Sequence, residues 1–284
     1  FGCANATYFR DGHPCVECSP DRFMPAIRNR CWRGSLPATL SMVAALKRFW
    51  HVGGLKSIKA FIALSEAQKQ AHIRMGLPEG LIHVLHHSLD DDGEERTTPP
   101  ANGDVLFIGR LTEEKGLRLL IESWSKVDTQ GRKLRIVGKG PLLKELQEMV
   151  VSKKIKDVIF EGFVPKEKHP QLWKQASFFV APSVWEEPFG MVILEAWRQQ
   201  RAVLATDLGS FPELVTNGVN GWIAGAEVEA FAEALQCALN ATNDYDHMGL
   251  SGRKTLQREF NSHQWLDKWL SVLGSVSTTD SSTK

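Results

Sequence analysis

The stretch "SFFVAPSVWEEPFGMVILEAWRQQRAVLAT", Ser177–Thr206, decides the fold. It opens with a short apolar run, "FFVA", of the kind a strand buried on both faces requires. Pro182 and Pro188 mark a turn, Pro188 being expected as the first residue of the helix that "FGMVILEAW" spells at 3.6-residue spacing. "AVLAT" then reads as the next strand. Working outward, the same alternation recurs on the N-terminal side: "DVLFIG" with "EKGLRLLIESWSKV", "KLRIVG" with "PLLKELQEMVV", and "VIFEG" with "PQLWKQA". Repeated strand and helix units imply right-handed crossovers onto a parallel sheet covered on both faces. In such a doubly wound α/β fold the ligand lies outside the carboxyl ends of the strands. "PELV", "EVEAFAEALQCALNA" and "HQWLDKWLSVLG" read as further helices.

The 284 residues are 43% hydrophobic and 24% charged, a balance that suits about two globular domains. The formal charge is +1 and the basic residues are scattered, so nucleic acid is not an expected partner. The chain starts at Phe1 and shows neither a leader pattern nor an apolar stretch of spanning length, which reads as a cytoplasmic protein. The sequons at Asn5 and Asn240 are then chance occurrences. "DDDGEERTTPPANG", residues 90–103, is acidic, then Pro-rich, and reads as a linker. The expected domains are therefore 1–95 and 96–274, with 275–284 a disordered polar tail. In the first domain, "LPATLSMVAALKRF" and the strand "AFIAL" with its following helix look like βα structure lacking its beginning. The basic and aromatic "LKRFWHVGGLK" suits either an interfacial helix in peripheral contact with an anionic inner-membrane surface or a helix with a solvated side.

Cys3, Cys15, Cys18 and Cys31 crowd the first segment as C-x11-C-x2-C-x12-C, while Cys237 stands apart and is expected in the core. The C-x2-C pair has the bite of a thiolate chelate for tetrahedral structural zinc. Four reduced thiols without metal, or an iron–sulfur cluster, are the competing readings.

Four motifs follow strands. In "FIGRLTEEKG", Gly109 permits close backbone approach, and Arg110 and Lys115 bring two cations to one strand end, enough for a diphosphate. The plainer reading is two solvated loop cations. In "IVGKGP", Gly138 and Gly140 bracket a tight turn that matches neither G-x-G-x-x-G nor a P-loop. "FEGFVP" ends a strand at Gly162, and exposed backbone there could hydrogen-bond a planar base. In "WEEPFGMVILE" the first helical turn offers unpaired N–H groups to an anion, with Gly190 leaving room. Glu187 and Glu195 flank that turn and, as carboxylates, suit sugar hydroxyls rather than phosphate. Together they describe a nucleotide sugar, against the plainer reading of helix-complementing acids.

In that order and at those strand ends the motifs resemble the retaining, two-domain GT-B glycosyltransferases of family 4, over essentially the whole second domain. The first segment resembles a branch with a cysteine-bearing insertion, "FGCANATYFRDGHPCVECSP" and "RCWRGS", followed by "FIALSE" and "HVLHHSLD". The resemblance implies a complete Rossmann-like C-terminal domain and an N-terminally truncated Rossmann-like acceptor domain. A Gly-rich acceptor-side loop and a His that the family carries are absent, and His86-His87 replace a common Pro-Asn. It also implies roles. Arg110 and Lys115 hold the donor diphosphate without a divalent metal, and Glu187 contacts the transferred sugar. The backbone of Phe189, Gly190, Met191 and Val192 binds phosphate and sugar, Glu195 takes the ribose, and the Val164 backbone meets the base. The implied reaction moves a sugar with retention from a nucleoside diphosphate sugar to a glycan or lipid-linked acceptor in cell-surface polysaccharide assembly. A non-catalytic nucleotide-sugar module and a zinc-dependent interaction protein are the competing classes.

Overall fold

A computed structural model describes residues 2–93 and 96–278. By contacts the chain divides into two compact units. One takes in the chain through His86 together with the segment from Leu266 on, and the other spans His87–Trp265.

The first unit opens with a minimal antiparallel hairpin, β1 (Phe9–Arg10) and β2 (His13–Pro14), then the short α1 (Met24–Arg28) and the long α2 (Leu36–His51). Ser35 caps α2 by accepting from Ala38 N–H, and Pro37 sits in the first turn, where its missing N–H costs nothing. β3 (Phe61–Ala63), α3 (Glu66–Arg74) and β4 (Ile82–Val84) form a single crossover with β3 parallel to β4. The buried apolar side chains fall into two small clusters, Ala4, Phe23, Ala26 and Val43 in one, Ala63, Leu77 and Ile82 in the other.

The second unit contains β5 (Asp104–Ile108), α4 (Leu117–Trp124), β6 (Leu134–Val137), α5 (Leu143–Ser152), β7 (Val158–Gly162), α6 (His169–Gln175), β8 (Ala176–Ala181), α7 (Met191–Arg198), β9 (Ala202–Thr206), α8 (Phe211–Leu214), β10 (Gly221–Ala224), α9 (Val228–Asn240) and α10 (Tyr245–Glu259). Every pairing in its sheet is parallel, in the order β10-β9-β8-β5-β6-β7. Period-2 alternation divides the strand residues between two faces. Val105, Phe107, Phe178, Val180 and Leu204 join Leu120, Trp124 and Leu235 of the helices α4 and α9 in the main core. Phe179 looks the other way, onto Trp173 of α6 at 5.4 Å between ring centroids. α11 (Ser262–Thr278) begins in this unit, and no helix among the described residues is long and apolar enough to cross a membrane.

Four expectations change, and two elements appear for which none was stated. α7 starts at Met191, not Pro188, because Gly190 adopts φ 84° and, as a left-handed N-cap, keeps Pro188 and Phe189 out of the helix. Cys237 is exposed on α9 rather than buried. α11 continues through Thr278, four residues into the segment read as tail, and 279–284 lie outside the described residues. The region read as a linker is a strap pinned to the second unit, apart from Glu94 and Glu95, which lie outside the described residues. Ser177 Oγ and Arg132 Nη2 donate to the carbonyls of Pro100 and Ala101, and Arg201 Nη1 donates to that of Thr97 at 2.9 Å. Finally, β10 and α10 carry no strong sequence signal. Gly249 and Gly252 weaken the helical pattern of α10, yet a Cβ at Gly252 would stand 2.2 Å from the Trp197 ring and one at Gly249 2.2 Å from Gln200 O. The two glycines let α10 lie close on α7.

Arg201 is almost wholly buried, and its guanidinium also donates to Trp173 O at 2.9 Å and Gln199 O at 2.8 Å. Burial draws its pKa down to about 10, with Asp246 opposing, so it stays charged at neutral pH. Arg201→Met leaves those carbonyls unsatisfied, at about 1–3 kcal/mol each; chemical denaturation should show a loss of at least about 3 kcal/mol. Asp91 supplies a second test. Burial pushes its carboxyl up, but hydrogen bonds from Arg253 at 2.7 Å and from Gln257, with the Arg253 charge, hold it below its usual 3.8. Its contribution is full above 3.8 and is lost as pH falls through the lower folded value. The stability gap between the native chain and Asp91→Asn should therefore close on acidification, as read by urea titrations across pH.

Candidate functional site

The loops at the carboxyl ends of β5, β6, β8 and β9 are packed by glycines. At Gly138 (φ 142°) a Cβ would stand 1.8 Å from Gly109 O, and at Gly140 one would stand 2.3 Å from Leu111 O. Leu111 N–H donates to Lys139 O, and Leu142 N–H to Leu111 O, so the first two motifs form one continuous rim. At Gly116 (φ 68°) a Cβ would stand 1.7 Å from Pro182 O. That close approach carries Lys115, at the end of the 3-10 turn Glu113–Lys115, up to the loop after β8.

There Lys115 Nζ meets Glu187 Oε2 at 2.7 Å. The same oxygen accepts from Trp185 Nε1 at 2.8 Å and Ser183 Oγ at 3.2 Å, and Lys115 Nζ lies 5.7 Å from the centre of the Trp185 ring. Both ionic side chains are mostly covered, 21% and 12% exposed. The Glu187 backbone is fixed as well: its carbonyl accepts from Ser210 N–H at 2.9 Å, and Gly209 (φ 60°) lies against its N and O. The cation thus comes from the loop after β5, while the acid and the helix start share the loop after β8. Arg110 stands on the same rim. Its guanidinium, 71% exposed, pairs with Glu114 at 3.3 Å, and the Glu114 carbonyl accepts from Val184 N–H at 3.0 Å. An exposed pair of that kind is worth at most about 1 kcal/mol, so an incoming anion can take the guanidinium over.

Gly190, Met191 and Val192 form the N-terminal edge of α7, where N–H groups lack helical acceptors. The Phe189 ring is buried beside His87 at 5.5 Å and Phe260 at 5.8 Å, so only its backbone can serve a ligand. Glu195 lies about one turn into α7, not two. It lines a polar cavity of about 410 Å³ with Lys166, His169, Trp173 and Arg198. Lys115 and Glu187 do not line that cavity. Arg198 Nε is buried there without a hydrogen-bond partner. Val164 O stands 3.0 Å from His169 Nε2 and so already takes one donor. The sequence reading missed Lys139 and Phe163: the ammonium lies 5.1 Å over a ring that is 66% exposed. The Lys between two glycines in "IVGKGP" was the available signal.

Cys3, Cys15, Cys18 and Cys31 are half-buried, and all four line one cavity of about 200 Å³ in the first unit. Among the described residues, no three His, Cys, Asp or Glu side chains are gathered in a metal-holding group.

Residues 102–241 match the family described as Glycosyl transferases group 1. The matched stretch lies within the second unit. The amylovoran biosynthesis glycosyltransferase AmsK of Erwinia amylovora is 28% identical over 214 residues, 71% of this chain and 53% of that relative. The alpha-D-kanosaminyltransferase of Streptomyces kanamyceticus is 25% identical over 181 residues, 58% of this chain and 47% of the relative. The chain spans about half the length of the curated relatives it matches. Among solved structures, Alr3699/HepE of Anabaena in complex with UDP and glucose aligns with TM-score 0.68 at 24% identity, covering 76% of this chain and 63% of that one. Sucrose-phosphate synthase of Thermosynechococcus elongatus aligns with TM-score 0.68 at 20% identity, covering 91% and 66%. These neighbours bear out the α/β fold of GT-B type.

The glycine packing is directly testable. Gly138→Ala places a Cβ on Gly109 O in a left-handed backbone, and should cost about 3 kcal/mol or more. Gly131→Ala has the same backbone sign (φ 75°) but open space around it, and should cost only about 1 kcal/mol. Thermal unfolding of the two variants checks the difference.

Proposed function

We propose that the chain is the donor-binding part of a retaining glycosyltransferase, using a nucleoside diphosphate sugar and passing the sugar to a glycan or lipid-linked acceptor. The observation that carries this reading is the meeting of Lys115 and Glu187 just ahead of the α7 N-terminus, with Arg110 on the same rim. Donor binding would exchange partners. The diphosphate takes Lys115, Arg110 and the Gly190–Val192 amides, and sugar hydroxyls replace the ammonium as donors to the Glu187 carboxylate. Positive charge then faces the departing phosphate, where negative charge develops as the glycosidic bond breaks. In the retaining route the resemblance implies, the leaving phosphate accepts the proton of the acceptor hydroxyl.

Glu195, beside the unsatisfied Arg198 Nε, is assigned to ribose, and the Val164 backbone to the base. UDP in the HepE structure makes a UDP-sugar the first donor to test. AmsK serves amylovoran biosynthesis, which supports the reading of an acceptor in cell-surface polysaccharide assembly. A peripheral membrane contact would fall to the basic and aromatic end of α2, near Lys47, Arg48 and Trp50. Divalent metal at the donor site is not required by this scheme, and added magnesium or manganese should leave the transfer rate unchanged.

The decisive measurement is calorimetric binding of UDP, GDP and ADP with their sugars, paired with a transfer assay. Arg110→Ala with Lys115→Ala should weaken diphosphate binding by several kcal/mol, at about 1.5–3 for each charge-assisted bond; unchanged affinity would remove the cation clamp. Glu187→Gln should cut transfer while leaving nucleoside diphosphate affinity near normal, and an equal loss of both would end its assignment to the sugar. Tight donor binding without transfer or donor hydrolysis would favour a non-catalytic nucleotide-sugar module.

A further inference from the structure

Residues 2–35 have very little regular structure to hold them. Their strands are two residues each, α1 has five residues, and the buried apolar cluster is Ala4, Phe23, Ala26 and Val43. Within the segment Ala6, Tyr8, Asp11, Arg30 and Arg33 all have positive φ between 49° and 58°. Each such residue costs about 1–2 kcal/mol relative to ordinary backbone, which so small a cluster does not offset. Segments of this kind are held by cross-links, disulfides or metal rather than by core packing.

The folding brings the means together. Cys3 from the start of the segment, Cys15 and Cys18 from its middle and Cys31 from the turn after α1 line the same cavity of about 200 Å³. Cys15 N–H donates to Tyr8 O at 2.7 Å and Cys31 N–H to Ala26 O at 3.1 Å, so the backbone that carries two of these thiols is fixed. Cys15 and Cys18 have the two-residue spacing of a thiolate chelate. Arg10 lines the cavity too, paired with Glu17 at 2.6 Å.

We propose that Cys3, Cys15, Cys18 and Cys31 form a structural tetrathiolate zinc site that staples the first unit. Binding converts four thiols to thiolates, releases four protons and leaves the site with a net charge of 2−, which the neighbouring Arg10 partly offsets. Burial, reinforced by the other thiols, pushes Cys18 and Cys31 up, while Arg10 draws Cys31 back down. The thiols surround the space without meeting at one point. Zinc would hold each sulfur at about 2.3 Å, which would need the four side chains to turn toward one point. The site lies outside the matched stretch 102–241 and does not depend on its assignment.

The test uses the full chain, expressed with added zinc and purified without chelator. Elemental analysis should find one zinc per chain. The four thiols should be unreactive toward a thiol reagent until a chelator is added, while exposed Cys237 reacts at once. Replacing zinc with cobalt should give the intense visible absorption of a tetrahedral cobalt thiolate. That reading holds even if the variants fail to fold. Cys15→Ser and Cys18→Ser should each lose most of the zinc, and Cys237→Ser should keep all of it. Two disulfides in the non-reduced digest, stoichiometric iron and sulfide, or four reactive thiols with no zinc would each overturn the proposal.

Discussion

The second unit is organised around one contact, the ion pair of Lys115 with Glu187. Taking an ammonium and a carboxylate mostly out of water is costly, and their attraction repays it only when geometry is good and further hydrogen bonds are made. Here Trp185 and Ser183 supply those bonds, all on one oxygen. The pair also needs two backbones closer than any side chain would permit. Gly116 and Gly209 provide that proximity, one against Pro182 and the other against Glu187 itself. Replacing either glycine would displace a loop before it touched a charge.

The sheet supports this contact from below. Each charged or glycine-bearing loop follows a strand, and the strands are pinned by parallel pairing and by alternating burial of Val105, Phe107, Phe178 and Val180. The first unit is held differently. Its knuckle of short strands has a core of a few side chains, so buried area contributes less to its order than it does in the second unit.

Much of this was legible in the sequence. The alternation of apolar runs and 3.6-period helices gave β5 through β9 and their crossovers, because both periods are set by backbone geometry alone. Gly109, Arg110, Lys115 and Glu187 stood out because they follow strands. What escaped depended on tertiary contacts. α10 was hidden by Gly249 and Gly252, which are helix-weakening until Trp197 and Gln200 are seen above them. The start of α7 was misplaced because Pro188 is a good first helical residue, and only the left-handed Gly190 shows otherwise. The 90–103 segment looked unstructured because its partners, Arg132, Ser177 and Arg201, are distant in sequence.

The self-paired state of Lys115 and Glu187 also makes the niche selective by logic rather than by shape. A bare anion that captured the lysine would strand a carboxylate among fewer donors. A neutral polyol that courted the carboxylate would have to displace the lysine without offering it a counter-charge. Under the donor reading proposed above, only a molecule bringing negative charge and hydroxyl groups on one framework would satisfy both partners at once, so inorganic phosphate and free sugar would each be turned away and the niche would act as a coincidence detector.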